Sequence, residues 1–331
     1  MMLHFVQPSK LKTKKIVFED VYAACDSATL EHLKELSSKR KAIEDSINES
    51  SFITEAIAKE MSGGLESRYE QDVHKIEQYL PLLENLFPYA DVTNTNYRMA
   101  QCTAALKIRW SSALSTSSFF NFKGPKFFQI DNLRFELGMT LFLCGGILRE
   151  RALEVLSTDL VQSATIFRQA SGIYQHLAQD VLPPLQPALP LEKPPEALAA
   201  VSTIMSLICL AEAQEFMYFC KCLHELKGQQ YHAESLKACG QIGAAIGVLC
   251  SVLSNVKKKI PGEEPWKSIY QKQIEDASEV LRKFVHENDF VWHEKIPSGD
   301  ELPLPEGNKI VTFKPYSPKR WETPLAFKRK M

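Results

Sequence analysis

The chain has 331 residues, a length that fits one large domain or two of ordinary size. Hydrophobic residues make up 45% of it and charged residues 24%, the balance of a soluble globular protein. The formal net charge of -1 argues against nucleic acid as a partner, because a broad nucleic-acid-binding surface needs an excess of lysine and arginine.

The amino-terminal region is predicted to be a short extended segment followed by helices. Residues 1–25 lack the apolar core of a signal peptide, and residues 16–18 form a β-branched and aromatic run that favours a short strand. Apolar periodicity then predicts helices over residues 26–50, 51–61, 65–87 and 96–115. Residues 117–130 form an aromatic loop, which either packs over the core as a lid or is an exposed patch for a partner or membrane surface.

The stretch from Gln129 to Leu182 is predicted to form two long helices joined by a short loop near residues 157–159. In the first helix, apolar residues recur three or four apart along two stripes: Ile130, Leu133, Leu137, Leu141, Cys144 and Leu148, and Phe135, Met139 and Phe142. Glycines lie between the stripes; each costs about 1 kcal/mol relative to alanine and indicates a close approach of other backbones. The second helix is also apolar over two faces. Either both helices are buried between neighbours, or one face is left open for a partner's helix.

The second half begins with a proline-rich connection over residues 183–195 and continues in helices. The most apolar run, residues 197–213, is shorter than the roughly 20 residues of a membrane span and is predicted to be a buried core helix. Helices are predicted over residues 196–228, 229–239, 241–259 and 265–287. Gly240, Gly243 and Gly247 indicate tight packing of helix hairpins like that of tetratricopeptide arrays, and the chain is predicted to be extended from Asn288.

No motif of a common catalytic or cofactor site is present in the sequence. GxxxxGK[ST], GxGxxG after a strand, HExxH and GxSxG are all absent. The eight histidines are scattered, and the eight cysteines contain no CxxC pair, as expected of reduced thiols in a cytosolic protein. Cys144 lies in an apolar stripe, where a thiol is expected to be inert. We therefore expect a protein that is not an enzyme, with no catalytic residue, metal, cofactor or small-molecule substrate.

Several segments together resemble the BRO domain, which is found in Alix-type endosomal scaffold proteins. FELGMTLFLCGG and FRQASGIYQHLAQDVLPPL, within residues 135–185, are similar to the core of that domain. LKTKKIVFEDVYAACDSATLEHLKELSSKR, IRWSSAL, MSLICLAEAQE and ENDFVWHEKIP are similar to four further segments of the family, in the same order. HELKGQQYHAESLKACGQIGAAIGVL resembles the plant branch in particular. One departure follows Glu215: Phe216 comes next where the family has two more helices, so the chain resembles a form shortened by an internal deletion.

The resemblance implies an all-α fold. The expected architecture is a curved helical solenoid of tetratricopeptide-like hairpins with a small amino-terminal β element. It also implies a single BRO-like domain over residues 1–331. The expected parts are an amino-terminal strand region over 1–25, a helical body over 26–287 with its proline-rich loop at 183–195, and an extended carboxy-terminal tail over 288–331.

The resemblance further implies a protein-binding scaffold in endosomal sorting and the multivesicular body pathway. The expected partner is the amphipathic carboxy-terminal helix of an ESCRT-III subunit, held in a hydrophobic patch by apolar anchors at helical spacing. Such a protein is cytoplasmic and peripherally associated with endosomal membranes. The family's patch corresponds best to Ile166, with Met139 and Phe142 beside it and Leu160 at the start of the same helix. Tyr231 corresponds to a tyrosine on a second family surface.

Two other functions fit the same sequence. The missing helices could have removed the binding surface and left a shortened regulatory or inert isoform. Alternatively, the chain is a generic helical adaptor unrelated to endosomes. Exposure of the apolar faces of residues 197–213 and 216–226 would favour the first of these, because such faces cause aggregation and bind hydrophobic dyes.

Overall fold

A computed structural model describes residues 10–49, 67–90, 102–115, 125–156, 158–258, 266–297, 312–318 and 324–327. The predicted helix over residues 51–61 lies outside the described residues, as do the first three phenylalanines of the predicted aromatic loop, Phe119, Phe120 and Phe122.

The regular secondary structure of the described residues is helical apart from one small sheet, so the predicted all-α fold with a small β element is confirmed. The helices are α1 (Ser27–Glu49), α2 (Arg68–Ala90), α3 (Leu133–Val155), α4 (Leu160–His176), α5 (Ala199–Ala238), α6 (Ile242–Lys257) and α7 (Trp266–Glu287). Strands β1 (Arg109–Ser111) and β2 (Phe127–Gln129) pair antiparallel, with Trp110 opposite Phe128.

The sheet is formed by other residues than those predicted. The run at residues 16–18 is not a strand; instead Thr13, just before it, forms a bridge with Trp110. The helix predicted over 96–115 is wrong beyond residue 105, because Lys107 adopts a positive φ of 50° and the chain then enters β1. Phe127 and Phe128, the last two phenylalanines of the predicted aromatic loop, lie in β2. Their partner strand is β1, which is distant in sequence and therefore not revealed by the local pattern.

Helix α5 is a single 40-residue helix where two helices were predicted, over 196–228 and 229–239. Gly228 does not interrupt it, and the break comes at Gly240, whose φ of 78° is readily adopted by glycine. Among the described helices, α5 alone has the length and composition to cross a membrane, a test that core helices of soluble proteins also pass.

The described residues fall into two compact units. The larger unit draws on residues 4–154, 165–211 and 313–331, and the smaller unit on residues 155–164 and 212–312. The prediction of one domain over residues 1–331 stays a prediction.

The larger unit has a core built around α3. Nearly every side of that helix is buried, from Leu133 to Ala152, which explains why its apolar residues occupy two stripes. Leucine and isoleucine side chains of α1 and α2 are also buried, and Trp110 of β1 is fully covered. The two-sided apolar pattern of the sequence therefore predicted a central helix correctly.

The smaller unit has its own core between α5, α6 and α7. The buried cluster consists of Ala233, Ile242, Ala245, Ile246, Leu249 and Phe284. The helix-hairpin packing predicted at the glycines is wrong for Gly243 and Gly247, because their close neighbours are residues 294–297 after α7 and not a helix. A Cβ on Gly243 would lie 2.6 Å from the Lys295 carbonyl oxygen.

The chain after α7 differs from the predicted extended tail. Asn288–Trp292 continue the helix as a π-helical turn, which ends at His293 in the left-handed conformation. Further on, residues 324–327 pack against the amino-terminal region of the larger unit. The Cys25 amide donates a hydrogen bond to the Ala326 carbonyl at 2.9 Å, and Phe327 forms a bridge with Ala24.

Candidate partner-binding surfaces

Helices α3 and α4 pack unusually close to each other in the larger unit. A Cβ on Gly145 would lie 2.7 Å from the Tyr174 ring, so only glycine leaves room for that tyrosine. The Tyr174 ring meets Phe142 edge-on, with centroids 5.2 Å apart, and its hydroxyl donates to the Phe142 carbonyl at 3.3 Å. Gly138 and Gly145 of α3 therefore make room for the side chains of Leu182 and Tyr174, and not for the close backbones that the sequence predicted.

The residues predicted to bind a partner fall into two groups, three that are buried and two that are at least partly exposed. Met139, Phe142 and Ile166 are 1%, 0% and 5% exposed, so all three belong to the core of the larger unit. Leu160 is half-buried and Tyr231 is 69% exposed, and these two belong to the smaller unit. As they lie here, the three core side chains offer no open groove to a partner. Their assignment to a patch stays a prediction.

An exposed apolar seam runs along α5 within the larger unit. It consists of Ala200, Ile204, Leu207 and Ala211, all exposed and spaced four, three and four residues apart. Ile204 and Leu207 are 53% and 60% exposed. We call these four residues the α5 seam. The prediction of a buried core helix over residues 197–213 is therefore right for one face of the helix only.

The opposite face of the same helix is fixed to α4. Ser202, Met205 and Cys209 are buried, and the Ser206 hydroxyl donates to the Ser171 carbonyl at 3.0 Å. This anchoring holds the α5 seam outward on a rigid element. An alternation of four and three residues is the spacing at which two helices pack along a common line, so the seam has the geometry to receive an amphipathic helix.

A second group of exposed apolar side chains lies in the smaller unit after α7. Phe290, Val291 and Trp292 are 73%, 65% and 48% exposed. The Phe290 ring lies 4.6 Å from the His286 ring and is tilted by 35° to it, and the Trp292 indole donates to Glu287 at 3.3 Å. Sequence reasoning missed this group, because the segment was predicted to be extended.

The described residues contain no group of three or more histidine, cysteine, aspartate or glutamate side chains that could hold a metal ion. Burial raises the pKa of Cys144 to about 12, with a smaller contribution from the negative charge of Glu77. At neutral pH this thiol is therefore protonated and a poor nucleophile.

Comparison with known proteins identifies the fold. No family model matches the sequence, and no curated protein matches it either. The structure is similar to that of the ALIX BRO1 domain in its complex with CHMP4C, with a TM-score of 0.57 and 17% identity, over 93% of this chain and 94% of that one. It is also similar to ALIX in complex with the SIVmac239 PYKEVTEDL late domain, with a TM-score of 0.55 and 17% identity, over 93% of this chain and 48% of that one. This chain therefore has the BRO1-domain fold.

Proposed function

We propose that this chain is a non-enzymatic scaffold that binds the amphipathic carboxy-terminal helix of an ESCRT-III subunit. The observation that carries the proposal is the fold likeness, over nearly the whole chain, to a BRO1 domain whose structure contains CHMP4C. The chain also displays the α5 seam, an exposed apolar line at helix-pairing spacing. A scaffold of this kind acts in the cytoplasm and associates peripherally with endosomal membranes.

The α5 seam is the better location for the partner helix than the patch around Ile166. Ile204 and Leu207 are already exposed, so covering them removes apolar surface from water at no cost in core packing. Full burial of an isoleucine or leucine side chain contributes about 1.5–3 kcal/mol. Met139, Phe142 and Ile166 would first have to be uncovered, and opening a packed core loses the same contacts that binding would gain.

The test is a titration of the purified chain against a fluorescent peptide of the CHMP4C carboxy-terminal helix. We expect saturable binding that Leu207→Asp weakens at least about 10-fold, because an unpaired carboxylate is strongly disfavoured in an apolar contact. Leu191→Asp is the matched control, since Leu191 is fully exposed in the larger unit and lies outside the seam. Ile166→Asp is included, and its thermal midpoint is measured because that side chain is buried.

The outcomes distinguish binding on the α5 seam from binding on the patch around Ile166. Loss of binding in Leu207→Asp with normal binding in Leu191→Asp places the partner on the seam. Binding that Leu207→Asp leaves intact, but that a folded Ile166→Asp loses, places it on the patch around Ile166. Equal binding of an unrelated amphipathic helix by the wild-type chain identifies a generic helical adaptor.

A second candidate function is a shortened isoform that has lost its binding surface. The observation in its favour is that the α5 seam, which ends four residues before Glu215, is uncovered. The resemblance implies that two helices of the family are missing directly after that residue. No binding of CHMP4C peptide by a well-folded chain, together with strong binding of a hydrophobic dye, is the result that this candidate requires.

A further inference from the structure

A short extended segment lies across α4, and all of it except its first residue, Thr312, belongs to the larger unit. Residues 312–318, which we call the strap, run against the helix at Gly172. The Lys314 amide donates a hydrogen bond to the Arg168 carbonyl at 3.1 Å. A Cβ on Gly172 would lie 1.8 Å from the Lys314 carbonyl oxygen, so the strap can occupy this place only because residue 172 has no side chain.

The strap covers a pocket that it does not fill. The pocket has a volume of about 210 Å³. It is walled by α2, α3 and α4 and roofed by the strap, with Leu80, Pro81, Cys144, Leu148 and Ile173 supplying apolar surface. Glu77 and Gln169 are the polar lining residues from the helices. We call the site formed by Gly172 and this pocket the strap groove.

The strap makes limited contact with the groove. Phe313, Lys314, Pro315 and Ser317 are exposed, and Tyr316 is half-buried with its ring 5.2 Å from that of His176. Burial, and then the charge of Glu84, raise the pKa of Tyr316, so its hydroxyl stays protonated. A segment that buries one ring belongs to the parts of a protein that open at low free-energy cost.

The sequence of the strap suits a segment that lies extended across Gly172 and places one ring at the pocket. Pro315 holds the backbone extended and has no amide hydrogen that needs a partner, and Tyr316 supplies an aromatic ring at the mouth of the pocket. We propose that the strap groove is a docking site for an extended proline–tyrosine peptide of a partner protein, and that the strap occupies it as a tethered competitor. This site is independent of the helix-binding surface proposed above.

The probe for this proposal is a fluorescent peptide of residues 312–318, titrated against the full chain and against Tyr316→Ala. Removing the ring weakens the strap in the chain but leaves the groove intact. The apparent affinity of a site rises in proportion to the fraction that is open, so we expect Tyr316→Ala to bind the peptide roughly 10-fold more tightly than the native chain. Tyr231→Ala, which changes an exposed tyrosine of the smaller unit, is expected to bind like the native chain.

Two further variants test the groove itself. In the Tyr316→Ala background, Gly172→Ala is expected to abolish peptide binding, because the added methyl group occupies the path of the peptide backbone. Gly228→Ala is the matched control, since nothing beyond its own stretch of helix backbone lies within 4 Å of the position of its Cβ. A peptide with alanine in place of its tyrosine is expected to lose binding to Tyr316→Ala, a result that does not depend on the folding of any groove variant.

Three outcomes overturn the proposal. The first is equal peptide affinity of the native chain and Tyr316→Ala. The second is binding that survives both the alanine peptide and a folded Gly172→Ala. The third is a concentration-dependent dimer of the native chain that Tyr316→Ala abolishes, because the occupant would then be the strap of a second copy.

Discussion

Arg40 and Glu136 form an ion pair in the core of the larger unit, with Nε and Oε1 2.5 Å apart and both side chains fully buried. Glu136 also accepts hydrogen bonds from the Tyr79 hydroxyl at 3.1 Å and the Trp110 indole at 2.6 Å. Arg40 further donates to the Thr13 hydroxyl. The pair thereby joins α1, α2, α3, β1 and the amino-terminal segment around one carboxylate. Burial, and then Glu136, raise the pKa of Tyr79 well above its ordinary value, so the phenol stays a donor.

Removal of the Glu136 carboxylate is expected to be severely destabilising. Glu136→Ala leaves the Arg40 guanidinium buried without its counter-charge, which costs about 3–5 kcal/mol of the free energy of unfolding. Urea denaturation followed by circular dichroism measures this cost. The control is Glu279→Ala, which breaks the exposed Glu279–Lys283 pair of α7 and is expected to leave the midpoint unchanged. A Glu136→Ala midpoint as high as that of the control would contradict this prediction.

The stability of the chain is expected to fall below pH 6.5 partly because of His32. Burial lowers the pKa of His32 from 6.5, against the opposing effect of its hydrogen bond to the Leu82 carbonyl at 3.1 Å. Below pH 6.5 the unfolded state therefore binds a proton that the folded state does not, and the free energy of unfolding decreases as pH falls. The maximum slope for one proton is about 1.4 kcal/mol per pH unit.

His32→Gln tests this origin of the pH dependence. Glutamine retains an N–H donor for the Leu82 carbonyl but does not titrate. Urea denaturation at intervals between pH 5 and 8 is expected to give a shallower slope for the variant below pH 6.5 and parallel curves above it. Identical slopes in both proteins would assign the acid sensitivity to other groups.

Gly145→Ala is expected to destabilise the packing of α3 on α4. The added methyl group would lie 2.7 Å from the Tyr174 ring, and forcing extra volume into a packed core costs about 1–3 kcal/mol. Gly228→Ala, within α5 and with open space around the added methyl group, is expected to raise the free energy of unfolding by up to about 1 kcal/mol. An increase of the free energy of unfolding in both variants would show that helix propensity outweighs the clash at Gly145.

Cys144 is expected to resist thiol reagents in the native chain. With its pKa near 12, about one thiol in 10,000 is ionised at pH 8, and the thiolate is the reactive form. The exposed Cys25, Cys239 and Cys250 serve as internal controls that react under the same conditions. Mass spectrometry after brief iodoacetamide treatment reads each site separately. Alkylation of Cys144 at the rate of the exposed cysteines would mean that its surroundings open readily.

The sequence predicted those elements whose signal is local. The two apolar stripes of α3 identify a central helix because each stripe needs only residues three and four apart. The sheet was misplaced because a strand at Trp110 depends on Phe128 and Thr13, which are distant in sequence. The sequence did not predict the α5 seam, because both faces of the helix are apolar. Met205 and Cys209 on the buried face are as apolar as Ile204 and Leu207 on the exposed one.

The sequence did not predict the strap either, because its contact joins residues that are distant in sequence. Gly172 lies within a regular helical pattern, and nothing near it in sequence indicates that residues 312–318 approach its backbone. For Tyr231 the resemblance to a family surface led to a residue that is 69% exposed in the structure. That this tyrosine binds a partner stays a prediction.

The contact between the amino-terminal region and residues 324–327 has a consequence for biosynthesis. The Ala326 amide donates a hydrogen bond to the Thr29 hydroxyl at 2.9 Å across 297 residues of sequence, and the Leu325 amide donates to the Tyr89 hydroxyl at 3.1 Å. Thr29 is synthesised 297 residues before Ala326, so its hydroxyl lacks this partner until that stretch of chain has been translated. Helices α1 and α2 therefore lack part of their covering during that interval, and apolar surface exposed in this way is what chaperones protect.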